Sequence, residues 1–191
     1  MKKLRLLFTE KCNRNCGGYC NKGYNLKKLP KVTHFNYDEI LITGGEPLLF
    51  LEQLKGYIKA IRVVSKAKII IYTSLVNRWT YANLGYFWKT DDSILKIIKF
   101  VDGITLTLHT QQDSDNFADL LYIIEISCKS ITEESIYNTF KTKSLRLNVF
   151  KGIKLPENFP MALSLWNVKD NIEWIKDCPL PVDEEFKRVL N

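Results

Sequence analysis

No stretch of the 191-residue chain approaches the roughly 18 uninterrupted apolar residues that a membrane-spanning helix needs. The apolar run near Met1 is also too short for a secretion signal, so a cytoplasmic location is expected. Histidine is scarce, with only His34 and His109. The chain has no internal repeat and no low-complexity tract, and no linker clearly divides it. A balance of 46% hydrophobic and 26% charged residues speaks against disorder and for one core of moderate size. A single domain over residues 1–191 is expected, the alternative being a small extension after about residue 156.

A disulfide framework is excluded on similar grounds. The five cysteines are an odd number, three crowded and two distant, in a chain without a secretion signal, which points to reduced thiols. Three of them fall in Cys12-Asn-Arg-Asn-Cys16-Gly-Gly-Tyr-Cys20, a loop whose Gly and Asn residues let several sulfurs turn toward one point. Zinc in a closed site takes four protein ligands, so Cys128, Cys178 or His34 would have to complete it. An iron–sulfur cube held by three thiolates keeps one iron open to an external ligand. Incidental cysteines are the third reading.

Charge is placed unevenly. Residues 1–31 carry nine Lys or Arg against the single acid Glu10, a local +8 within a total of +7. This excess surrounds the cysteine loop. It reads either as solvated charge that partly compensates an anionic thiolate centre, or as attraction for a phosphate-bearing or nucleic-acid partner.

Short apolar runs then alternate with helical patterns. Lys3–Thr9, Glu39–Thr43, Lys68–Thr73, Gly103–His109, Leu145–Phe150 and Met161–Trp166 are expected as strands. After Pro47, suited to a first helical turn, Leu48, Leu51, Leu54, Ile58 and Ile61 keep helical spacing. Further helices are expected over Asp92–Lys99, over Asp113–Cys128 with Ser114 or Asn116 near its cap, and over Asn171–Asp177 and Asp183–Leu190. This alternation implies parallel pairing through right-handed crossovers, an α/β fold. About six units are too few for a closed eight-stranded barrel, so the expectation is a partial, open (β/α)6-type barrel. Function is then expected at the carboxyl ends of the strands, where the cysteine loop, Gly44-Gly45-Glu46, Thr73 and His109 fall.

On these residues the chain resembles the radical S-adenosylmethionine (SAM) superfamily. The likeness rests on a first strand followed by the three-cysteine loop with Tyr19 just before Cys20, on Ile42-Thr43-Gly44-Gly45-Glu46-Pro47-Leu48 after the second strand, and on Tyr72-Thr73-Ser74 at the end of the third. The family's commonest cysteine spacing is three residues then two; here it is three and three, Gly17-Gly18 supplying an additional residue. Two consecutive glycines can loop that residue out, and the alternative is a cluster-free relative.

The resemblance implies that Cys12, Cys16 and Cys20 ligate three irons of a [4Fe-4S] cluster whose fourth iron is chelated by SAM. Tyr19 would lie near the adenine, Thr43, Gly44, Gly45 and Glu46 at the methionyl end, and Thr73 and Ser74 at the ribose or carboxylate. His109 is a further candidate contact for SAM or substrate. Reductive cleavage of SAM would give methionine and a 5′-deoxyadenosyl radical that abstracts hydrogen, with an electron donor such as flavodoxin or ferredoxin and a protein or nucleotide substrate. Alternatives are a glycyl-radical activating enzyme like that of anaerobic ribonucleotide reductase, and a non-catalytic cluster-binding module. Asp113 and Asp115 read as helix-capping residues, Cys128 and Cys178 as structural. The aromatic stretch Trp79–Trp88 reads as a packed connection, the alternatives being a substrate lid or a partner surface. No motif in the second half identifies the substrate.

Overall fold

A computed structural model describes residues 1–14, 23–75, 93–128, 135–173 and 180–189. Cys16, Tyr19, Cys20, Cys178 and the stretch Trp79–Trp88 lie outside the described residues. In chain order the elements are β1 (Lys3–Thr9), β2 (Glu39–Gly44), α1 (Leu51–Val64), β3 (Lys68–Thr73), α2 (Ser93–Ile97), β4 (Gly103–Leu108), α3 (Gln111–Ser127), α4 (Ile136–Lys141), β5 (Ser144–Phe150), α5 (Pro160–Ser164), β6 (Asn167–Ile172) and β7 (Glu184–Arg188). A 3-10 turn, Pro47–Phe50, opens α1. Among the described residues no helix is long and apolar enough to cross a membrane.

All the strand pairs are parallel, and the order across the sheet is β6-β5-β4-β3-β2-β1-β7. Strands β1 to β6 follow one another without reversal, the order of a barrel rather than of a doubly wound sheet, whose strand order reverses part-way. The last strand sits beside the first, as in a barrel, but among the described residues β6 and β7 are the two edges and the sheet stays open. The residues after 156 therefore add a strand to each edge of the same sheet.

One face of this sheet carries the core. Leu4, Leu6, Ile40, Ile42, Ile69, Ile71, Ile104, Leu106, Leu145 and Leu147 point to one side, where they meet Leu54, Ile58 and Ile61 of α1, Ile94 and Ile97 of α2, Phe117, Leu120 and Ile124 of α3, Phe140 of α4 and Ala162 of α5. Successive strand residues alternate sides, so the opposite face is lined by Arg5, Leu41, Ile70, Tyr72, Thr105, Thr107, Arg146 and Asn148. It is mixed in character: Leu41, Ile70 and Thr105 are buried, whereas Arg146 is exposed.

Four expectations are corrected. Met161–Trp166 is not a strand: Pro160 occupies the first turn of α5, where its fixed φ and missing N–H suit a helix start. The sixth strand is the polar segment Asn167–Ile172, so Asn171 and Ile172, expected to begin a helix, end β6 instead. Asp183–Leu190 is not a closing helix; Glu184–Arg188 forms β7, and charged residues are what an edge strand carries. Helix α3 is capped by Thr110, not by Ser114 or Asn116, in a reciprocal capping box with Asp113. Helix α4 had no sequence signal that stood out.

Phe117 is fully buried and meets Trp166 edge-on, ring centroids 5.3 Å apart. Phe117→Ala is expected to cost about 3–5 kcal/mol of unfolding free energy, measured by chemical denaturation.

Candidate functional site

The carboxyl ends of the strands bring together the residues singled out in the sequence. Strand β2 ends at Gly44, opposite Thr9 of β1. The Gly45 N–H donates to the Thr9 carbonyl at 2.7 Å and the Glu46 N–H to the Lys11 carbonyl at 2.8 Å, so the loop after β2 lies directly on the chain entering the cysteine loop. This closeness demands glycine. A Cβ on Gly44, whose φ is +145°, would stand 2.1 Å from the Thr9 carbonyl oxygen, and one on Gly45 2.0 Å from that of Lys11. The two glycines thus serve a contact within the chain itself.

Glu46 faces the next strand. It is 1% exposed, and its carboxylate accepts hydrogen bonds from the Leu48 N–H, the Thr73 hydroxyl, the Ser74 N–H and the Ser74 hydroxyl. Burial pushes the Glu46 carboxyl above its usual range, against these four donors, which favour the ionised form. The bonds to Thr73 and Ser74 tie the end of β2 to the end of β3. Thr43, half-buried, pairs with Leu7 in the β1–β2 ladder.

Cys12 leaves the end of β1 with an exposed, free thiol, and the Arg14 N–H donates to its Sγ at 3.4 Å. The Arg14 side chain crosses the mouth of the site. Its guanidinium donates to the Ser74 carbonyl at 2.8 Å and grips both oxygens of Asp113 at 2.8 and 2.5 Å. Asp113, in the first turn of α3, also accepts from the N–H groups of His109 and Thr110. One ion pair therefore links the loop after β1 to the ends of β3 and β4. Sequence reasoning gave Asp113 only the capping role and counted Arg14 only as charge. The two are 99 positions apart in the sequence, so no local pattern pairs them.

His109 is half-buried, and its ring lies 4.9 Å from that of Phe150 at 59°. Burial and the Arg14 cation hold its imidazole below the usual range, so the ring is neutral at pH 7.

No protein-family model, curated protein or solved structure matches this chain. The chemistry has to be read from the site.

Two of the candidates for completing a zinc site are distant. Cys128 ends α3 at the opposite end from Asp113, and a helix of 17 residues is about 25 Å long. Its sulfur lies 3.9 Å from that of Met161. His34 stacks on Tyr37 just ahead of β2, at the amino end of the sheet. Among the described residues no group of three or more His, Cys, Asp or Glu side chains is arranged to hold a metal, two of the three clustered cysteines lying outside them. Of the nine basic residues in 1–31, Lys2, Lys3, Arg5 and Arg14 have acidic partners, and Lys27, Lys28 and Lys31 are exposed.

Burial would raise the Asp113 carboxyl, but the Arg14 hydrogen bonds, the His109 N–H and the Arg14 charge outweigh it and hold the group below its ordinary 3.8. With a depressed folded-state value, the stabilisation is present above the unfolded range and is lost as pH falls through the folded value. The pair's side chains are 20% and 6% exposed. Asp113→Asn is expected to lower stability by about 3 kcal/mol at neutral pH, the scale of breaking a largely buried pair. It should also lessen the loss of stability below pH 3.8. Urea melts at neutral and acid pH check both.

Proposed function

We propose that this chain is a radical SAM enzyme, in which Cys12, Cys16 and Cys20 hold a [4Fe-4S] cluster and the loops after β2, β3 and β4 hold SAM. The observation that carries this reading is the junction at the carboxyl ends: the backbone of Thr9 and Lys11, leading to the exposed Cys12 thiol, packs against Gly44-Gly45-Glu46, and Arg14, two residues further on, bonds the Ser74 carbonyl. The donor set fits the group. Three thiolates with no fourth Cys or His close by in the sequence suit a cluster with one open iron better than closed zinc, and an N–H donor to the Cys12 sulfur is the kind of contact that tunes such a cluster. When bound, this pair supplies one-electron cleavage of the sulfonium, giving methionine and a 5′-deoxyadenosyl radical that abstracts hydrogen from substrate.

The chain's own residues have narrower tasks. Glu46 holds the ends of β2 and β3 at a fixed separation, with both carboxylate oxygens engaged. The Gly44-Gly45 backbone fixes where Cys12 leaves β1. Thr43, Thr73, Ser74 and His109 border the mouth, and Tyr19 would contact the adenine. Arg14 keeps Asp113 ionised in a buried position. The reaction needs a reducing compartment such as the cytoplasm and a one-electron donor such as flavodoxin or ferredoxin.

Anaerobic reconstitution is expected to load about four irons and four sulfides per chain, and reduction in the presence of SAM to release 5′-deoxyadenosine. Iron content near zero after careful reconstitution would defeat the reading.

A further inference from the structure

The face of the sheet opposite the helices changes character from β1 to β6. On β2 and β7 it carries the acids Glu39 and Glu184, held by Lys3 and Arg5. On β3 to β6 it carries no acidic residue among the described positions. The register places Thr105, Arg146 and Asn167 in one row across β4, β5 and β6, and Thr107, Asn148 and Lys169 in the next row toward the carboxyl ends. The Asn148 amide donates to the Thr107 hydroxyl at 3.4 Å. Arg146 and Lys169 are exposed, and neither has an ion pair or side-chain hydrogen bond among the described residues. They stand diagonally on neighbouring strands, near enough for two long side chains to converge on one anion.

At the rim above these rows lie the rings of His109 and Phe150. His109 is held neutral there, and the pair offers faces and edges for a planar ring rather than a charge. From Phe150 the strand descends to Asn148 and then to Arg146. At roughly 3.3 Å per residue the two steps lie about 7 and about 13 Å below the rim. The surface is thus aromatic at the rim, with Thr107, Asn148 and Lys169 in the row below it and Arg146 in the row below that.

We propose that this face binds the substrate, and that the substrate is a nucleotide. Its base packs against His109 and Phe150 near the mouth, and its phosphate is held by Arg146 and Lys169, with Thr107 and Asn148 along the sugar. The assignment deepens the radical SAM reading and rests on it for the chemistry, but the binding surface belongs to the chain alone. A nucleotide lying this way has its sugar and base, not its phosphate, toward the cysteine loop.

The test is calorimetric titration of the full chain, iron-free and after reconstitution. The probes are the four common ribonucleoside monophosphates, the matching nucleosides and inorganic phosphate. The variants are the double charge reversal Arg146→Glu with Lys169→Glu, and Lys27→Glu with Lys28→Glu as a control for non-specific charge. All four side chains are exposed, and thermal melts of both double variants are expected to match the wild type. At least one monophosphate should bind about tenfold or more tighter than its nucleoside, and the Arg146/Lys169 variant should lose about tenfold or more while the control keeps its affinity. Equal binding of nucleoside and monophosphate, no binding of any monophosphate, or equal losses in the two double variants would overturn the proposal. Iron uptake is measured on the same preparations: a wild type that loads no iron yet binds a monophosphate sinks the cluster reading alone, and one that loads iron but binds none sinks this one alone.

Discussion

Asp113 is a buried carboxylate in the first turn of α3, and what makes it tolerable there is the Arg14 guanidinium arriving from the loop after β1. A carboxylate removed from water without a partner is costly, and a bidentate Arg is the partner whose geometry fits it best. The same guanidinium holds the Ser74 carbonyl at the end of β3. Because Asp113 also fixes the backbone of His109 and Thr110, one charge pair sets the relative positions of Arg14, the end of β3 and the start of α3. The site is held across the mouth of the sheet as well as along its strands.

A second carboxylate does the corresponding work on the other side. Glu46 is more deeply buried and has hydrogen-bond donors rather than a cation as partners, so burial raises its carboxyl where that of Asp113 is depressed. Glu46 joins the ends of β2 and β3, and Arg14 joins the loop after β1 to β3 and α3. Between them the Gly44-Gly45 backbone touches Thr9 and Lys11 so closely that any side chain would collide. Four consecutive segments at the carboxyl ends are thereby locked together around the point where Cys12 emerges.

Much of the architecture was legible because buried parallel strands are nearly continuous apolar runs, as Lys68–Thr73 is, and because Glu39–Thr43 and Gly103–Leu108 are short apolar stretches of the same kind, the latter interrupted by threonines. The errors fall where that rule lapses. Strands β6 and β7 sit at the edges, so Asn167–Ile172 is polar and Glu184–Arg188 is mostly charged, and neither has the expected run. Conversely Met161–Trp166 is apolar because α5 packs Ala162 into the core, with Pro160 marking its start. The glycines and Glu46 were legible as a motif, but their contacts to Thr9, Lys11, Thr73 and Ser74 were not. The Arg14–Asp113 pair was invisible, since a contact between distant segments leaves no local pattern.

The central claim is that the three clustered cysteines act together on one cluster, and their chemical accessibility tests it most directly. Alkylation of the thiols, read by mass spectrometry, would be compared in iron-free and in anaerobically reconstituted protein. The account predicts that Cys12, Cys16 and Cys20 become protected together on loading, while Cys128, at the far end of α3, labels equally in both. Equal labelling of Cys12 before and after loading, or protection of Cys128 along with it, would contradict the account.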